Sequence, residues 1–161
     1  MSMVRDLNTG FLEQEQFYTD NRPAPDFHLQ DCEYNERDLH SIMGERGVVI
    51  GFIKNTWTPE SIRRILFMQK YFRRFKAEGY NVCLVVADQP HTLHSFYLSS
   101  EVKVDVPLLA DAGERAHQAF DMDRPGLVVV GRDHSIRAKW FVRPGHVWMR
   151  PKKIVDKLSQ L

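Results

Sequence analysis

The chain has 161 residues, 43% of them hydrophobic and 27% charged, which is the composition of a soluble globular domain of ordinary size. Its 22 basic and 21 acidic residues leave a net charge of +1, so neither nucleic acid nor a membrane is predicted as a partner. No apolar run approaches the roughly 18 residues that cross a bilayer, and the first residues lack the pattern of a secretory signal, so we expect a cytoplasmic protein.

The beginning of the chain predicts an arm followed by the first elements of one domain. Residues 1–22 are polar and are expected to form an N-terminal arm or short helix, and residues 23–161 a single domain. The alternating stretch 23–29 predicts a short first strand. A short helix is predicted over 38–43, for which Asp38 is the expected N-cap.

The longest predicted helix follows a strand that is expected to be buried. The nearly continuous apolar run 47–53 has the length of a strand and suits one that is covered on both faces. Thr58 is the expected N-cap of the helix, and Pro59 takes the first helical position, where its missing N–H costs nothing. Apolar residues then recur at steps of three and four, and Gly79 ends the helix.

The second half of the chain alternates short apolar strands with helices. Strands are predicted at 80–86, 106–109, 127–130 and 136–142, and helices at 91–100, 114–120 and 152–161. Strand–helix alternation followed by an antiparallel hairpin predicts an α/β fold in which helices flank both faces of a central mixed β-sheet.

Four local motifs occur in a characteristic order along the chain. They are Pro25-Asp26-Phe27-x-Leu29, the stretch 52–61 that includes Thr58-Pro59-Glu60-Ser61, the segment Val106-Pro107-Leu108-Leu109-Ala110-Asp111, and residues 127–133. Together they resemble the peroxiredoxin, or alkyl hydroperoxide reductase-like (redoxin), branch of the thioredoxin superfamily over about residues 23–142. The resemblance implies a thioredoxin fold of the peroxiredoxin type and, as the family's chemistry, an antioxidant thiol oxidoreductase.

The stretch 52–61 departs from the family at its reactive position. The family signature Thr-Pro-x-Cys places Ser61 on the reactive cysteine, and the thioredoxin signature Trp-Cys-x-x-Cys matches Trp57 but puts Thr58 and Ser61 on its two cysteines. A serine hydroxyl does not ionise near neutral pH and has no oxidation ladder, so we predict no peroxidase turnover through residue 61. The predicted function is therefore a peroxiredoxin-like protein with a degenerate active site that works as a binding or regulatory module.

The resemblance implies a family-equivalent pocket, although no catalytic residue is assured. Its members are Trp57, Thr58, Pro59, Ser61, Arg124 and Pro125. In the family a threonine and an arginine hold the peroxide oxygens, and Thr58 and Arg124 match them. Pro125 is a candidate for the cis-proline of thioredoxins, and either isomer is open. The alternative is structural: Thr58 and Pro59 cap a helix, Arg124 makes a surface ion pair and Trp57 packs.

Two other functions stay open. The first is a thiol-dependent peroxidase, either because Ser61 is an engineered replacement of a cysteine or because Cys32, in an expected turn, is exposed and redox-active. Cys83 lies in an apolar run and is expected to be an inert core thiol. The second is a histidine-based metal-binding protein, since His91 and His94 are three residues apart on a predicted helix; no further ligand completes that site in the sequence, and no metal is predicted.

The remaining features concern cofactors and partners. No cofactor is predicted, and the chain has neither a P-loop nor a Gly-x-Ser-x-Gly elbow. The aromatic residues of 140–142 and 144–149 predict either a packed C-terminal segment or a self-association patch. A homodimer is the expected assembly, which the resemblance also implies, and the small-molecule or protein partner is not identified by the sequence.

Overall fold

A computed structural model describes residues 21–161 and the backbone of residues 17–18. Its strands are β1 (Phe17–Tyr18), β2 (Leu29–Gln30), β3 (Glu36–Arg37), β4 (Gly47–Ile53), β5 (Tyr80–Val86), β6 (Leu108–Ala110), β7 (Gly126–Gly131) and β8 (Ile136–Phe141). Its helices are α1 (Pro59–Ala77), α2 (Pro90–Ser99), α3 (Arg115–Ala119) and α4 (Pro151–Ser159), and a 3₁₀ turn spans His40–Ile42.

A mixed sheet with the strand order β1-β8-β7-β4-β5-β6 forms the centre of the molecule. β4 and β5, and β5 and β6, are parallel, whereas β4 and β7, β7 and β8, and β8 and β1 are antiparallel. β2 and β3 form a separate hairpin. The predicted fold class, a central mixed sheet in an α/β domain, is confirmed.

Both faces of the sheet are covered, which explains why β4 is apolar throughout. All seven residues of β4 are buried. On one face, Val49 packs in a cluster with Ile65 of α1 and with residues of α2 and α4. On the other face, Phe52 packs in a second cluster with Phe120, which directly follows α3. The start of α1 therefore follows the carboxyl end of a strand that is packed on both faces and held rigidly.

Most predicted element boundaries agree with the structure to within two residues, but two elements differ. The strand predicted at 23–29 is reduced to β2, because Pro23 and Pro25 have no N–H to donate to a ladder. The helix predicted at 38–43 is only the short 3₁₀ turn. Asp38 nevertheless holds that turn, since its Oδ1 accepts a hydrogen bond from the Ser41 backbone N–H at 2.8 Å.

The N-terminal arm predicted at 1–22 lies mostly outside the described residues. Its described strand, β1, pairs with β8 so that Phe17 lies opposite Trp140 and Tyr18 opposite Lys139. None of the helices in the described part of the chain is both long and apolar enough to cross a membrane.

Candidate functional site

The N-terminus of α1 follows the central strand β4 and begins at the predicted residues. Thr58 is the N-cap, in an extended conformation, and its hydroxyl oxygen accepts a hydrogen bond from the Ser61 backbone N–H at 3.3 Å. Pro59 is the first residue of the helix. The cap satisfies one of the N–H groups that a helix leaves free at its start, and it fixes the backbone at Ser61.

Two side chains that the sequence did not single out hold the loop before α1. Asn55 Oδ1 accepts hydrogen bonds from the backbone N–H of Thr58 at 3.2 Å and from its hydroxyl at 2.9 Å. Thr56 is fully buried, and both its backbone N–H (2.8 Å) and its hydroxyl (2.7 Å) donate to Asp88 Oδ2. The geometry at the head of α1 is therefore fixed by hydrogen bonds to side chains on both sides of the loop.

Ser61 and Trp57 differ sharply in exposure. Ser61, which the sequence resemblance places on the family's reactive cysteine, is only 3% exposed. Trp57 is 51% exposed and meets the ring of Phe96 on α2 edge to face, with the ring centroids 5.4 Å apart. The site therefore presents an aromatic surface to solvent beside a shielded hydroxyl.

Arg124 and Pro125 lie just before β7, and their contacts are with β8 and neighbouring loop residues. The Arg124 guanidinium lies over the Phe141 ring, 4.1 Å from its centroid, and its Nε is 3.7 Å from Asp123 Oδ1. Pro125 is trans, as is every described residue, and its carbonyl accepts from the Val142 N–H at 2.9 Å. The structure thus groups residues 57–61 at the head of α1, while Arg124 is stacked on Phe141.

Charged side chains of both signs lie around the head of α1. Glu60 places a carboxylate in the first turn of the helix. Lys54 Nζ is paired with Glu114 Oε1 at 2.9 Å. The Arg64 guanidinium, one turn beyond Ser61, donates to the carbonyl oxygens of residues 146 and 147. A helix N-terminus and a nearby cation lower a thiol pKa, and a nearby carboxylate opposes that effect.

Both cysteines are buried, which corrects the expectation that Cys32 is exposed. Cys32 is only 5% exposed because its turn packs into the core cluster on the α1 face of the sheet. Burial raises the pKa of its thiol to about 11. Cys83 is fully buried, as predicted, and burial raises its pKa to about 12. Both sulfurs are neutral thiols at physiological pH, and neither belongs to the site.

The two histidines of the metal hypothesis have separate surroundings. His94 Nδ1 is 2.8 Å from the carbonyl oxygen of Cys32, and its ring lies 4.9 Å from that of Tyr34. His91 is exposed. Within residues 21–161, no three His, Cys, Asp or Glu side chains are grouped so that they could hold a metal ion.

A buried histidine–aspartate pair contacts the end of β4, and the sequence analysis missed it. His117 Nδ1 is 2.7 Å from Asp111 Oδ2, and both side chains are at most 3% exposed. The other ring nitrogen, Nε2, is 3.2 Å from the carbonyl oxygen of Ile53, the last residue of β4. Because both ring nitrogens are engaged, His117 serves to position the end of β4 and has no nitrogen left to activate the Ser61 hydroxyl.

The pKa of Asp111 reflects this environment. Burial alone would raise it, but hydrogen bonds from the His117 side chain and from the backbone N–H groups of His117 and Ala116 outweigh burial and lower it. An aspartate six residues before a histidine, at the start of a predicted short helix, was the available sequence signal.

Comparison with known proteins shows which family the chain belongs to. The model of the AhpC/TSA family matches residues 21–155. Peroxidoxin BcpB from Mycobacterium tuberculosis superposes with a TM-score of 0.76 at 17% identity, over 89% of this chain and 97% of that one. AhpC from Enterococcus faecalis superposes with a TM-score of 0.77 at 16% identity, over 87% and 90% of the chains.

Peroxiredoxin Q from Xanthomonas campestris superposes with a TM-score of 0.69 at 17% identity, over 83% of this chain and 90% of that one. The comparison with curated protein sequences found no significant match. The solved structures support a thioredoxin fold of the peroxiredoxin type, and the family model covers every strand of the sheet except β1, all of α1 and the first five residues of α4. The chain belongs to the AhpC/TSA family.

Proposed function

We propose that this protein is a peroxiredoxin-like domain without cysteine-based peroxidase activity, and that it acts as a binding or regulatory module. One observation carries the proposal: the first turn of α1, where the family keeps its reactive cysteine, holds the capped and shielded Ser61. A peroxidase of this family needs a thiolate that attacks the O–O bond and becomes a sulfenic acid. A serine hydroxyl supports neither step.

The two native thiols support the same conclusion. Cys32 and Cys83 are buried and have raised pKa values of about 11 and 12. A thiol must be exposed and largely ionised to react with peroxide at a useful rate. Neither cysteine is suited to replace the missing sulfur.

Trp57 supports a binding role for the same region. Among residues 21–161 it is one of four large hydrophobic side chains that are exposed, and it stands beside the head of α1. Tryptophan offers a large contact area at a low entropic cost, and it is enriched where proteins bind ligands or other proteins.

A thiol-dependent antioxidant peroxidase is the second candidate. It is favoured because position 61 lies at a helix N-terminus, where a cysteine would have a lowered pKa. The Thr58 cap and the hydrogen bonds to Asn55 and Asp88 hold the loop that leads to this position. If Ser61 is an engineered substitution for cysteine, this would be the native activity.

One set of variants tests whether this chain has peroxidase activity and whether its scaffold could support it. Peroxide consumption is measured with a thiol reductant for the wild type, for Ser61→Cys, and for Ser95→Cys, which places a cysteine on the exposed face of α2 as a matched control. We expect no turnover by the wild type, and a gain with Ser61→Cys alone would show that the scaffold is intact but lacks its nucleophile. Turnover by the wild type that is abolished by Ser61→Ala or by Cys32→Ala would contradict the proposal.

A further inference from the structure

A cavity of about 360 Å³ lies between the end of β8, the segment 143–150 and the first turn of α4. Its walls include none of residues 57–61, so it is distinct from the head of α1. Small-molecule sites in proteins are concave, mostly apolar and commonly about 300–1,000 Å³ in volume. The cavity therefore has the size of a site for a small organic molecule.

Aromatic side chains make up the apolar part of the cavity wall. Trp140 and Trp148 both line it, but at 1% and 6% total exposure each presents only a small part of its ring to the cavity. Phe141 and Met149 extend the same surface. Flat rings and a polarisable thioether favour a ligand with a flat apolar body.

Cationic side chains make up the polar part of the wall. Arg143, Arg150 and Lys153 line the cavity, and no Asp or Glu does so among the described residues. Arg143 and Lys153 also interact with other groups of the protein. An anion is favoured because these positive side chains lie on the cavity wall. Arg150 and Lys153 are exposed and Arg143 is partly buried, so three positive charges surround the opening of the cavity.

The cavity is held open by contacts with α1. Arg64 donates from Nε to the Val147 carbonyl at 3.0 Å and from Nη2 to the His146 carbonyl at 2.9 Å. The Trp148 indole N–H donates to the Arg64 carbonyl at 3.1 Å. These bonds fix the backbone of the wall, so a ligand would not have to order it on binding.

We propose that this cavity binds a small organic anion, a carboxylate or sulfonate carried on a flat, apolar body. The ring would contact Phe141 and Met149, next to the small exposed parts of Trp140 and Trp148. The anionic group would lie towards Arg143, Arg150 and Lys153. This site goes beyond the function of the α1 head and does not depend on the identity of residue 61.

The three tryptophans provide the test. In a nitrogen–proton correlation spectrum of the full chain, each indole N–H gives one resonance, and the chain contains 3 tryptophans. Titration with naphthoate should shift the resonances of Trp140 and Trp148 saturably and leave that of Trp57 unmoved. Naphthamide has the same ring without the charge, and its affinity should be lower by a factor of about ten or more.

A variant pair tests the cationic wall. Lys153→Gln should weaken naphthoate binding about tenfold, whereas Lys152→Gln, which changes an exposed neighbour outside the cavity wall, should leave it unchanged. If Lys153→Gln does not fold, the comparison of naphthoate with naphthamide on the wild type decides alone. Equal affinity for the two compounds, shifts of Trp57 in parallel with the others, or equal losses in the two variants would overturn the proposal.

Discussion

Arg64 and Trp148 are joined by hydrogen bonds in both directions: each side chain donates to a backbone carbonyl in or next to the other residue's segment. The indole N–H of Trp148 donates to the Arg64 carbonyl at 3.1 Å, and the Arg64 guanidinium donates to the carbonyls of residues 146 and 147 at 2.9 and 3.0 Å. Burial lowers the pKa of Arg64, although an arginine stays charged at physiological pH. The C-terminal segment is thereby attached to α1 one turn beyond Ser61.

Replacing Arg64 should loosen this attachment. Arg64→Met keeps the length of the stem but removes both charged donors, and we expect the free energy of unfolding to fall by about 1.5–3 kcal/mol. Arg63→Met is the matched control, since Arg63 is exposed on the adjacent position of the same helix. Its effect should stay within about 0.5 kcal/mol. Urea unfolding of both variants measures the difference, and equal losses would show that Arg64 contributes only helix propensity.

Removing the Thr58 hydroxyl should destabilise the start of α1. Thr58→Ala loses the bond from the Ser61 N–H, and we expect a loss of about 1 kcal/mol in the free energy of unfolding. Thr58→Ser retains a hydroxyl in the same place and should keep most of that stability. Thermal unfolding of the three proteins provides the measurement. A serine variant as unstable as the alanine variant would mean that the methyl group, rather than the cap, is what matters.

The parts of the fold that depend on local pattern could be predicted from the sequence. β4 and β5 match the predicted 47–53 and 80–86 residue for residue, because each is a nearly continuous apolar run. The start of α1 was predicted from Thr58 and Pro59, since N-cap chemistry depends only on neighbouring residues.

The contacts that shape the site could not be predicted, because they join distant parts of the chain. Thr56 and Asp88 are 32 residues apart, and His117 meets the carbonyl of Ile53 across 64 residues. The burial of Cys32 was missed for the same reason: its turn looks polar in sequence and is covered only when the core assembles.

The native thiols should be unreactive in the folded protein. The raised pKa values of Cys32 and Cys83, about 11 and 12, keep both protonated as pH rises through the neutral range, and only the thiolate is nucleophilic. A colorimetric disulfide reagent should therefore detect almost no thiol in the native protein and both thiols in urea. Rapid reaction of one native thiol would contradict this expectation, and Cys32→Ala would identify which residue reacts.

The lowered pKa of Asp111 makes a defined contribution to stability against acid. A carboxyl group whose pKa falls on folding stabilises the protein at pH values above its ordinary value of 3.8, and this contribution is lost as pH falls through the lower value of the folded state. Asp111→Asn should lower the free energy of unfolding near neutral pH by at least about 1 kcal/mol. The further loss of stability as the pH falls into the acid range should be less steep in the variant than in the wild type.

Urea unfolding between neutral pH and pH 3 tests this, with Asp123→Asn as the control. The Asp123 side chain is 84% exposed, so its variant should follow the wild type at every pH. An Asp111→Asn curve parallel to that of the wild type would show that the Asp111 carboxyl makes no pH-dependent contribution to stability.

Gly51 should be intolerant of a methyl group. A Cβ at this position would lie 2.4 Å from Leu84 Cδ2 and 3.4 Å from the Trp148 ring, inside a packed core. Gly51→Ala is expected to cost about 1–3 kcal/mol of unfolding free energy. At Gly113 the nearest atom, Arg115 Cγ, would be 3.9 Å away, so Gly113→Ala should change stability by about 0.5 kcal/mol at most. Similar costs for the two variants would contradict the packing at Gly51.

Because both native thiols are enclosed in the core, a thiol-specific label can be directed to a cysteine added at the surface. One cysteine added to the exposed surface becomes the sole attachment point for a dye or a spin label. Cys32 and Cys83 can then stay in place, and no cavity is opened in the core by replacing them. Distances between α1, α4 and the C-terminal segment can thus be followed with paired labels in an otherwise unaltered chain.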